Sequence, residues 1–265
     1  MHCRLPLAAA ALLPLLLLTL VAPRLIAQQE PQPAQEPPAW PPNSLDRPKP
    51  PVVVPGAPGL PKAPPSDAIV LFNGRDLSMW AGEDNGPARW TVKNGYVEVA
   101  PGTGAIHTRH AFGDVQLHLE WASPSPAEGE GQDRGNSGVF LMSHYEVQVL
   151  DSWRSETYAD GQAGALYGQS PPLVNPARPP GQWQSYDIIF HAPRFGSDST
   201  VTTPARATVI YNGILVQDNV AFTGWTVHGK AATYQPHPPE LPLLLQDHGH
   251  RVRFRNIWIR ELKAP

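Results

Sequence analysis

Alternating apolar and polar positions recur through the C-terminal two hundred residues of the chain. In DVQLHLEWA, residues 114–122, the apolar residues Val115, Leu117, Leu119 and Trp121 alternate with polar ones. A period of two places the apolar set on one face of a β-strand and the polar set on the other. This pattern predicts a strand with one face in a core and the other face pointing outward.

Five further runs rich in β-branched, aromatic and leucine residues predict strands: SGVFLM, YEVQVL, SYDIIFHA, LPLLLQD and VRFRNIWIREL. The pairs Asn94-Gly95 and Asn212-Gly213 predict tight hairpins, because both residue types tolerate the positive φ of a primed turn. No run has the period and length of a helix. We therefore predict an all-β domain, and ten or more strands that must cover their apolar faces predict a two-sheet β-sandwich.

The first 27 residues predict a removable secretory signal peptide. Arg4 precedes an apolar block from Leu5 to Val21, and Ala27 supplies a small residue near the end. A retained membrane span is disfavoured, because Pro14 interrupts the block and it is shorter than the roughly 20 apolar residues that cross a bilayer. We expect an exported protein, periplasmic or extracellular, with no retained membrane span.

Prolines dominate the next segment, residues 28–66, and few of its residues could be buried in a core. Such a composition predicts a disordered, polyproline-like linker that spaces the folded part from what precedes it. The predicted folded domain is then residues 67–265.

Composition excludes several classes of function. The only cysteine, Cys3, lies in the predicted signal, so the mature chain has no disulfide, thiolate nucleophile or cysteine-based metal site. Loss of Arg4 and Arg24 takes the formal charge from −3 to −5, which disfavours nucleic acid as a partner. No His-x-x-x-His spacing, phosphate-binding glycine loop or GxSxG elbow is present, so no metal site is predicted from spacing.

Candidate chemistry lies in YEVQVLD, where period two puts Glu146 and Gln148 side by side, about 7 Å apart along the strand. Asp151 adds a second carboxylate at the end of the strand. Most glutamates on an outward strand face are only solvated, and we favour that interpretation for Glu120 taken alone. Glutamine is poor strand material, which favours a binding role for the Glu146 and Gln148 pair.

A second polar cluster, LQDHGH, contains Gln246 and His248, and His248 is the strongest candidate for proton transfer near neutrality. The long loop YADGQAGALYGQSPPLVNPARPPG, with Tyr167, predicts a binding rim. With Arg255 and several aromatic residues, this inventory of carboxylates and amides is typical of a sugar-binding site.

Several motifs, in chain order, resemble one known family: LFNGRDLSMW, GNSGVFL, YEVQVLDS, GALYGQSPPLVN, WQSYDIIFHAPRF, YNG, LQDHG and VRFRNIWIREL. They cover residues 67 to 263 and are similar to the 3-keto-disaccharide hydrolase domain. The resemblance implies a concanavalin-like β-sandwich or jelly roll, and cleavage of a glycoside oxidised at C3. The C3 ketone acidifies the C2 hydrogen, so such an enzyme needs a base, an acid for the leaving oxygen and donors for the enolate.

On this resemblance Glu146 or His248 would be the base and the other residue the acid. Donors to the enolate and hydroxyls would be Arg255, Gln148 and Asn136, although a bound divalent cation could take the place of the arginine. No cofactor is required by the sequence. The full set of predicted substrate-binding residues is Glu120, Asn136, Gln148, Asp151, Tyr167, Gln246 and Arg255.

Two other functions fit the same residues. A lectin-like module would bind carbohydrate without cleaving it. An ordinary glycoside hydrolase would use two carboxylates such as Glu120 and Glu146, about 5–5.5 Å apart for retention or about 6.5–9.5 Å apart for inversion.

Overall fold

A computed structural model of the protein describes Met1, residues 40–59 and residues 62–262. The predicted signal peptide lies outside the described residues apart from Met1, as do residues 28–39 of the predicted linker. Within the described ranges, no helix is long and apolar enough to cross a membrane.

Strands make up nearly all the regular structure of residues 40–59 and 62–262. The described residues contain one short 3₁₀ turn, Ala159–Gly161, and no α-helix. The all-β class predicted from the sequence is therefore confirmed. The strands, in chain order, are β1 (Ile69–Phe72), β2 (Trp80–Gly82), β3 (Thr91–Lys93), β4 (Tyr96–Glu98), β5 (Ile106–Phe112), β6 (Val115–Ala122), β7 (Ser137–Leu141), β8 (Tyr145–Val149), β9 (Gln184–His191), β10 (Arg194–Phe195), β11 (Val201–Thr203), β12 (Arg206–Tyr211), β13 (Ile214–Ala221), β14 (Leu241–Leu245) and β15 (Arg253–Glu261).

Two antiparallel sheets form a β-sandwich. The larger sheet has eight strands in the order β13, β12, β9, β6, β15, β4, β3, with β1 also paired to β15. The smaller sheet has five strands in the order β2, β5, β14, β7, β8, and β10 pairs with β11 in a separate ribbon. The predicted concanavalin-like sandwich is thus the observed fold, and β8 is an edge strand of the smaller sheet.

The core lies between the inner faces of the two sheets. Leu119 and Trp121 of β6 and Tyr145 and Val147 of β8 are almost completely inaccessible and belong to one apolar cluster. Because side chains alternate along a strand, the residues between them point to the outer faces. Strand β8 therefore turns its glutamate and glutamine away from the core.

Both predicted asparagine-glycine hairpins are confirmed. Asn94 and Gly95 join β3 to β4 with φ values of 50° and 78°. Asn212 and Gly213 join β12 to β13 with φ values of 52° and 81°. Two successive positive φ values are the conformation that matches the twist of paired strands.

Residues 40–59 of the predicted linker lie against the sandwich, which differs from the disordered spacer expected for residues 28–66. The amide of Val53 donates to the carbonyl oxygen of Asn175 at 3.1 Å, and the amide of Asn175 donates to the carbonyl oxygen of Pro51 at 2.9 Å. The composition argument considered apolar burial alone, whereas polar backbone contacts hold this segment.

Candidate active site

A small cavity of about 200 Å³ lies on the outer face of the five-stranded sheet, beside β8. We call it the site pocket. Its side chains provide one carboxyl group, three amides, two imidazoles and a phenol, and no lysine or arginine lines it. The lining residues are Asn136, Phe140, Glu146, Gln148, Tyr167, Thr226, His228, Gln246 and His248.

A glycine on the neighbouring strand makes room for the Glu146 carboxyl. Gly138 of β7 pairs with Gln148 of β8. A Cβ atom on Gly138 would lie 2.5 Å from Oε1 of Glu146 and 2.7 Å from Cε2 of Phe140, which are distances that carbon contacts do not reach. The glycine of the GNSGVFL motif therefore allows the carboxyl group to lie flat against the sheet.

The loop that follows β8 pairs with its free edge and brings Tyr167 to the pocket. Gln148 exchanges backbone hydrogen bonds with this loop, donating to Ala165 and accepting from Gly164, each at 3.0 Å. The amide of Tyr167 donates to the carbonyl oxygen of Glu146 at 3.2 Å. The predicted rim is thus a packed wall whose Leu166 is fully buried in the core.

A hydrogen-bonded chain of aromatic side chains forms that wall. The hydroxyl of Tyr167 lies 2.6 Å from the hydroxyl of Tyr158 and 2.7 Å from Nδ1 of His228. Thr226 holds the His228 segment against β8, because its hydroxyl accepts from the amide of Glu146 at 3.1 Å and its amide donates to the carbonyl oxygen of His144 at 2.9 Å.

Glu146 is a buried carboxyl group without a cationic partner in the lining of the pocket. Only 4% of the residue is exposed. Burial raises the pKa of this carboxyl from its usual 4.5 to about 8, because an ionised carboxylate loses hydration that no lysine or arginine in the pocket compensates. The group therefore holds its proton at neutral pH and can donate it.

The amide of Gln148 turns its nitrogen toward Glu146. The nitrogen donates to Oε1 of Glu146 at 2.9 Å and to the carbonyl oxygen of Ser137 at 3.0 Å. Glu146 therefore has one neutral hydrogen-bond donor in the pocket and no cation.

The structure brings six of the nine predicted site residues together in the site pocket. Glu146 and Gln148 lie deep, whereas His248 lies at the exposed mouth, with its ring 6.0 Å from that of His250. The six are Asn136, Glu146, Gln148, Tyr167, Gln246 and His248.

Glu120 and Arg255 do not belong to this pocket, so the predicted grouping of these two residues with Glu146 in one site is wrong. They lie on the outer face of the eight-stranded sheet, where Arg255 Nη2 is 2.6 Å from Glu120 Oε2 and the guanidinium group stacks on Trp183. Burial raises the pKa of Glu120, but the His118 imidazole, whose Nε2 lies 4.0 Å from Oε1, and hydrogen bonds from Asn256 and Arg255 outweigh burial and lower the pKa to about 2. The sandwich separates Glu120 from Glu146, so the two cannot flank one glycosidic bond.

Asp151 is also outside the pocket and has a structural role. Its carboxylate accepts from Nε of Arg134 at 2.9 Å and from the backbone amide of Trp153 at 3.1 Å. The ion pair joins the end of β8 to the loop before β7. Its predicted contact with substrate is therefore not supported.

Sequence reasoning missed Phe140, Thr226 and His228. Nothing in the local sequence of His228 distinguishes it from a surface histidine. Its partner Tyr167 lies 61 residues away along the chain. The GNSGVFL motif did contain Phe140, but the residue reads as an ordinary strand side chain.

A larger cleft, of about 610 Å³, is lined in part by Gly135 and Gly249, which are next in sequence to the pocket residues Asn136 and His248. Its carboxylates suit proton transfer less well, because Glu98 lies 3.0 Å from Nζ of Lys93 and Glu128 is exposed. Among residues 40–59 and 62–262, no three His, Cys, Asp or Glu side chains come together as a metal site would require.

We expect Glu146→Gln to stabilise the protein at neutral pH. In the unfolded chain this carboxyl ionises near 4.5, whereas in the folded protein it keeps its proton up to about 8. The unfolded state therefore binds fewer protons between these values, and stability falls as pH rises through that interval, by about 3 kcal/mol at pH 7. Glutamine stays neutral, so the variant should unfold at a higher temperature than the parent at pH 7 and not at pH 4.

Calorimetric melting at the two pH values measures this difference. Glu128→Gln, at an exposed glutamate, is the matched control and should leave the melting temperature unchanged at both. Equal or lower stability of Glu146→Gln at pH 7 would contradict a neutral, buried carboxyl group.

Solved structures similar to this chain include three from Parabacteroides distasonis ATCC 8503, each provisionally assigned as a glycosyl hydrolase. One is 45% identical and covers 82% of this chain and 93% of its own, with a TM-score of 0.75. The second and third are 19% and 22% identical over 74% of this chain, cover 94% and 99% of their own chains, and have TM-scores of 0.53 and 0.51. These two show the fold alone.

No curated protein matches the chain. The 3-keto-alpha-glucoside-1,2-lyase-like domain family matches residues 67–260, a span that contains every residue lining the site pocket. The chain therefore belongs to the 3-keto-alpha-glucoside-1,2-lyase-like domain family.

Proposed function

We propose that this protein cleaves the glycosidic bond of a 3-keto-glycoside by elimination, with Glu146 as the acid and His248 as the base. The observation that carries the proposal is the fully buried Glu146 carboxyl, whose pKa is raised to about 8 in a pocket lined by amides and imidazoles. A cavity of about 200 Å³ suits one sugar ring rather than a chain of sugars.

The reaction begins with removal of the C2 hydrogen as a proton, which leaves its electron pair in an enolate with the C3 oxygen. Imidazole is a suitable base because it titrates near neutrality. The enolate then collapses, a C1–C2 double bond forms, and the bond between C1 and the glycosidic oxygen breaks. Water adding across the double bond, with oxygen to C1 and a proton to C2, completes hydrolysis.

Glu146 supplies the proton that the departing oxygen needs. A carboxyl group that is protonated at neutral pH is an acid ready for this step, whereas an ordinary glutamate would already be ionised. Once the proton has left, the Gln148 amide nitrogen, which donates to Oε1 of Glu146 at 2.9 Å, stabilises the new carboxylate. This hydrogen bond supports the ionised acid without a cation.

Amide groups replace Arg255 as the proposed hydrogen-bond donors to the enolate. Asn136 and Gln246 line the pocket and can donate to the enolate oxygen and the sugar hydroxyls, whereas both amide hydrogens of Gln148 bond to Glu146 and Ser137. Each amide also accepts, so the same residues can hold a hydroxyl in a fixed orientation.

We expect the full chain to release the alcohol from an alkyl 3-keto-glucoside and not from its unoxidised parent, because only the ketone acidifies C2. Glu146→Gln should lower kcat by about a hundredfold or more, since general acid catalysis contributes about 10² to 10⁴. Glu128→Gln should retain full activity. Chromatographic measurement of the released alcohol gives the rates.

The same assay decides between the alternatives. Cleavage of the unoxidised glucoside would indicate an ordinary hydrolase and refute the elimination. Binding of either sugar with no cleavage would leave a lectin-like module.

We expect kcat/KM for the alkyl substrate to fall as pH rises through about 8, because Glu146 must carry its proton to act as the acid. A 4-nitrophenyl 3-keto-glucoside has a leaving group that needs no proton, so its fall should be smaller and Glu146→Gln should impair it less. Stopped-flow or spectrophotometric rates between pH 6 and 9 provide the profile. A rate that rises through pH 8 would instead make Glu146 the base.

We also propose that the protein is exported, on the layout of residues 1–27. Mass spectrometry of the protein from its native host should find a mature amino terminus near Gln28. An amino terminus at Met1 would contradict export with cleavage.

A further inference from the structure

The proline-rich segment that precedes the family domain reaches the wall of the site pocket. We call residues 40–53 the N-terminal strap. The family match begins at residue 67, so the strap lies outside it. Backbone hydrogen bonds between Val53, Pro51 and Asn175 fasten its C-terminal end to the sandwich. The rest of the strap runs along two loops that carry pocket residues.

Asn43 of the strap joins these two loops. Its backbone amide donates to Oδ2 of Asp160 at 3.1 Å, in the loop that contains Tyr158 and Tyr167. Its side-chain Oδ1 accepts from the amide of Gly229 at 2.9 Å, next to His228. One residue therefore connects the two ends of the Tyr158, Tyr167 and His228 hydrogen-bond chain.

A nearby cation strengthens the contact between the strap and Asp160. Asp160 is completely buried in the 3₁₀ turn Ala159–Gly161, and Nη1 of Arg47 lies 3.7 Å from its Oδ2. Lys49 also donates from Nζ to the carbonyl oxygen of Thr157, just before Tyr158. A buried carboxylate is costly without donors and a nearby cation. The turn that positions Tyr158 thus depends on groups supplied by the strap.

We infer that Asn43 and Arg47 are positioning residues for the site pocket, which hold Tyr167 and His228 beside Glu146. The active geometry then depends on a segment outside the family domain. Loss of either contact frees a loop without removing any group that touches substrate. Because a shift of about 1 Å at a reacting centre can cost about a hundredfold in rate, kcat should respond more strongly than stability.

Two substitutions in the full-length chain test this inference, which rests on the proposed function. Asn43→Gly removes the contact with Gly229 and tolerates the positive φ of 60° at this position. Arg47→Ala removes the cation beside Asp160, and Arg47→Lys restores it. Leu45→Ala is the control, because Leu45 lies between them in the strap and is 71% exposed.

We expect Asn43→Gly and Arg47→Ala to lower kcat for the 3-keto-glucoside at least tenfold, with KM changed less than about threefold. Arg47→Lys should recover most of the rate, and Leu45→Ala should match the parent. If both variants lower the melting temperature but keep kcat at a temperature well below melting, the strap only stabilises the fold and the inference is wrong.

A second readout does not depend on activity. The ring ¹⁵N signals of His228, assigned with the variant His228→Gln, should shift in Asn43→Gly and Arg47→Ala as the bond to Tyr167 weakens, and should not shift in Leu45→Ala. Unchanged signals would overturn the inference. If the parent cleaves no 3-keto-glucoside while these signals shift as expected, the proposed function fails and the positioning role of the strap stands.

Discussion

The free edge of β8 is the constraint on which the site depends. An edge strand presents backbone donors and acceptors that must find partners. Here the partners are the backbone of the loop around Ala165, the amide of Tyr167 and the hydroxyl of Thr226. By forming hydrogen bonds with this edge, the two chain segments also cover the outer face of the strand. The need to pair the edge backbone groups therefore also creates the pocket.

Because these segments cover β8, Glu146 is buried and its raised pKa keeps it protonated at neutral pH. An outward-facing glutamate on a solvated sheet would ionise, but Glu146 has lost its water and gained no cation. Burying this carboxyl group reduces the stability of the folded protein at neutral pH, because the unfolded chain ionises there. The Glu120 network, on the opposite outer face, shows the other outcome, because Arg255 and Asn256 keep that carboxylate charged.

Comparison of these two glutamates shows how far sequence reasoning could go. Both lie at outward positions of regular alternating strands, and the local pattern correctly predicts each strand and each direction. The pattern does not tell which sheet a strand joins, and therefore placed Glu120, Arg255 and Asp151 in the same site as Glu146. The family motifs narrowed the set of candidate site residues. The predicted residues that do line the pocket come from GNSGVFL, YEVQVLDS, GALYGQSPPLVN and LQDHG. His228 and the strap fell outside any recognisable pattern because their partners are distant along the chain.

By itself, the sequence determined ten of the fifteen strands in the described residues, the two asparagine-glycine hairpins, the all-β class and the position of Glu146 and Gln148 on one strand face. These follow from backbone sterics and a period of two, which act between neighbouring residues. The tertiary structure alone decided which outward face was covered, which carboxyl group kept its proton, and that a proline-rich segment reaches the pocket wall. Desolvation sets the charge state of Glu146. The contacts that exclude water from Glu146 come from loops that are distant along the chain and adjacent in the folded structure.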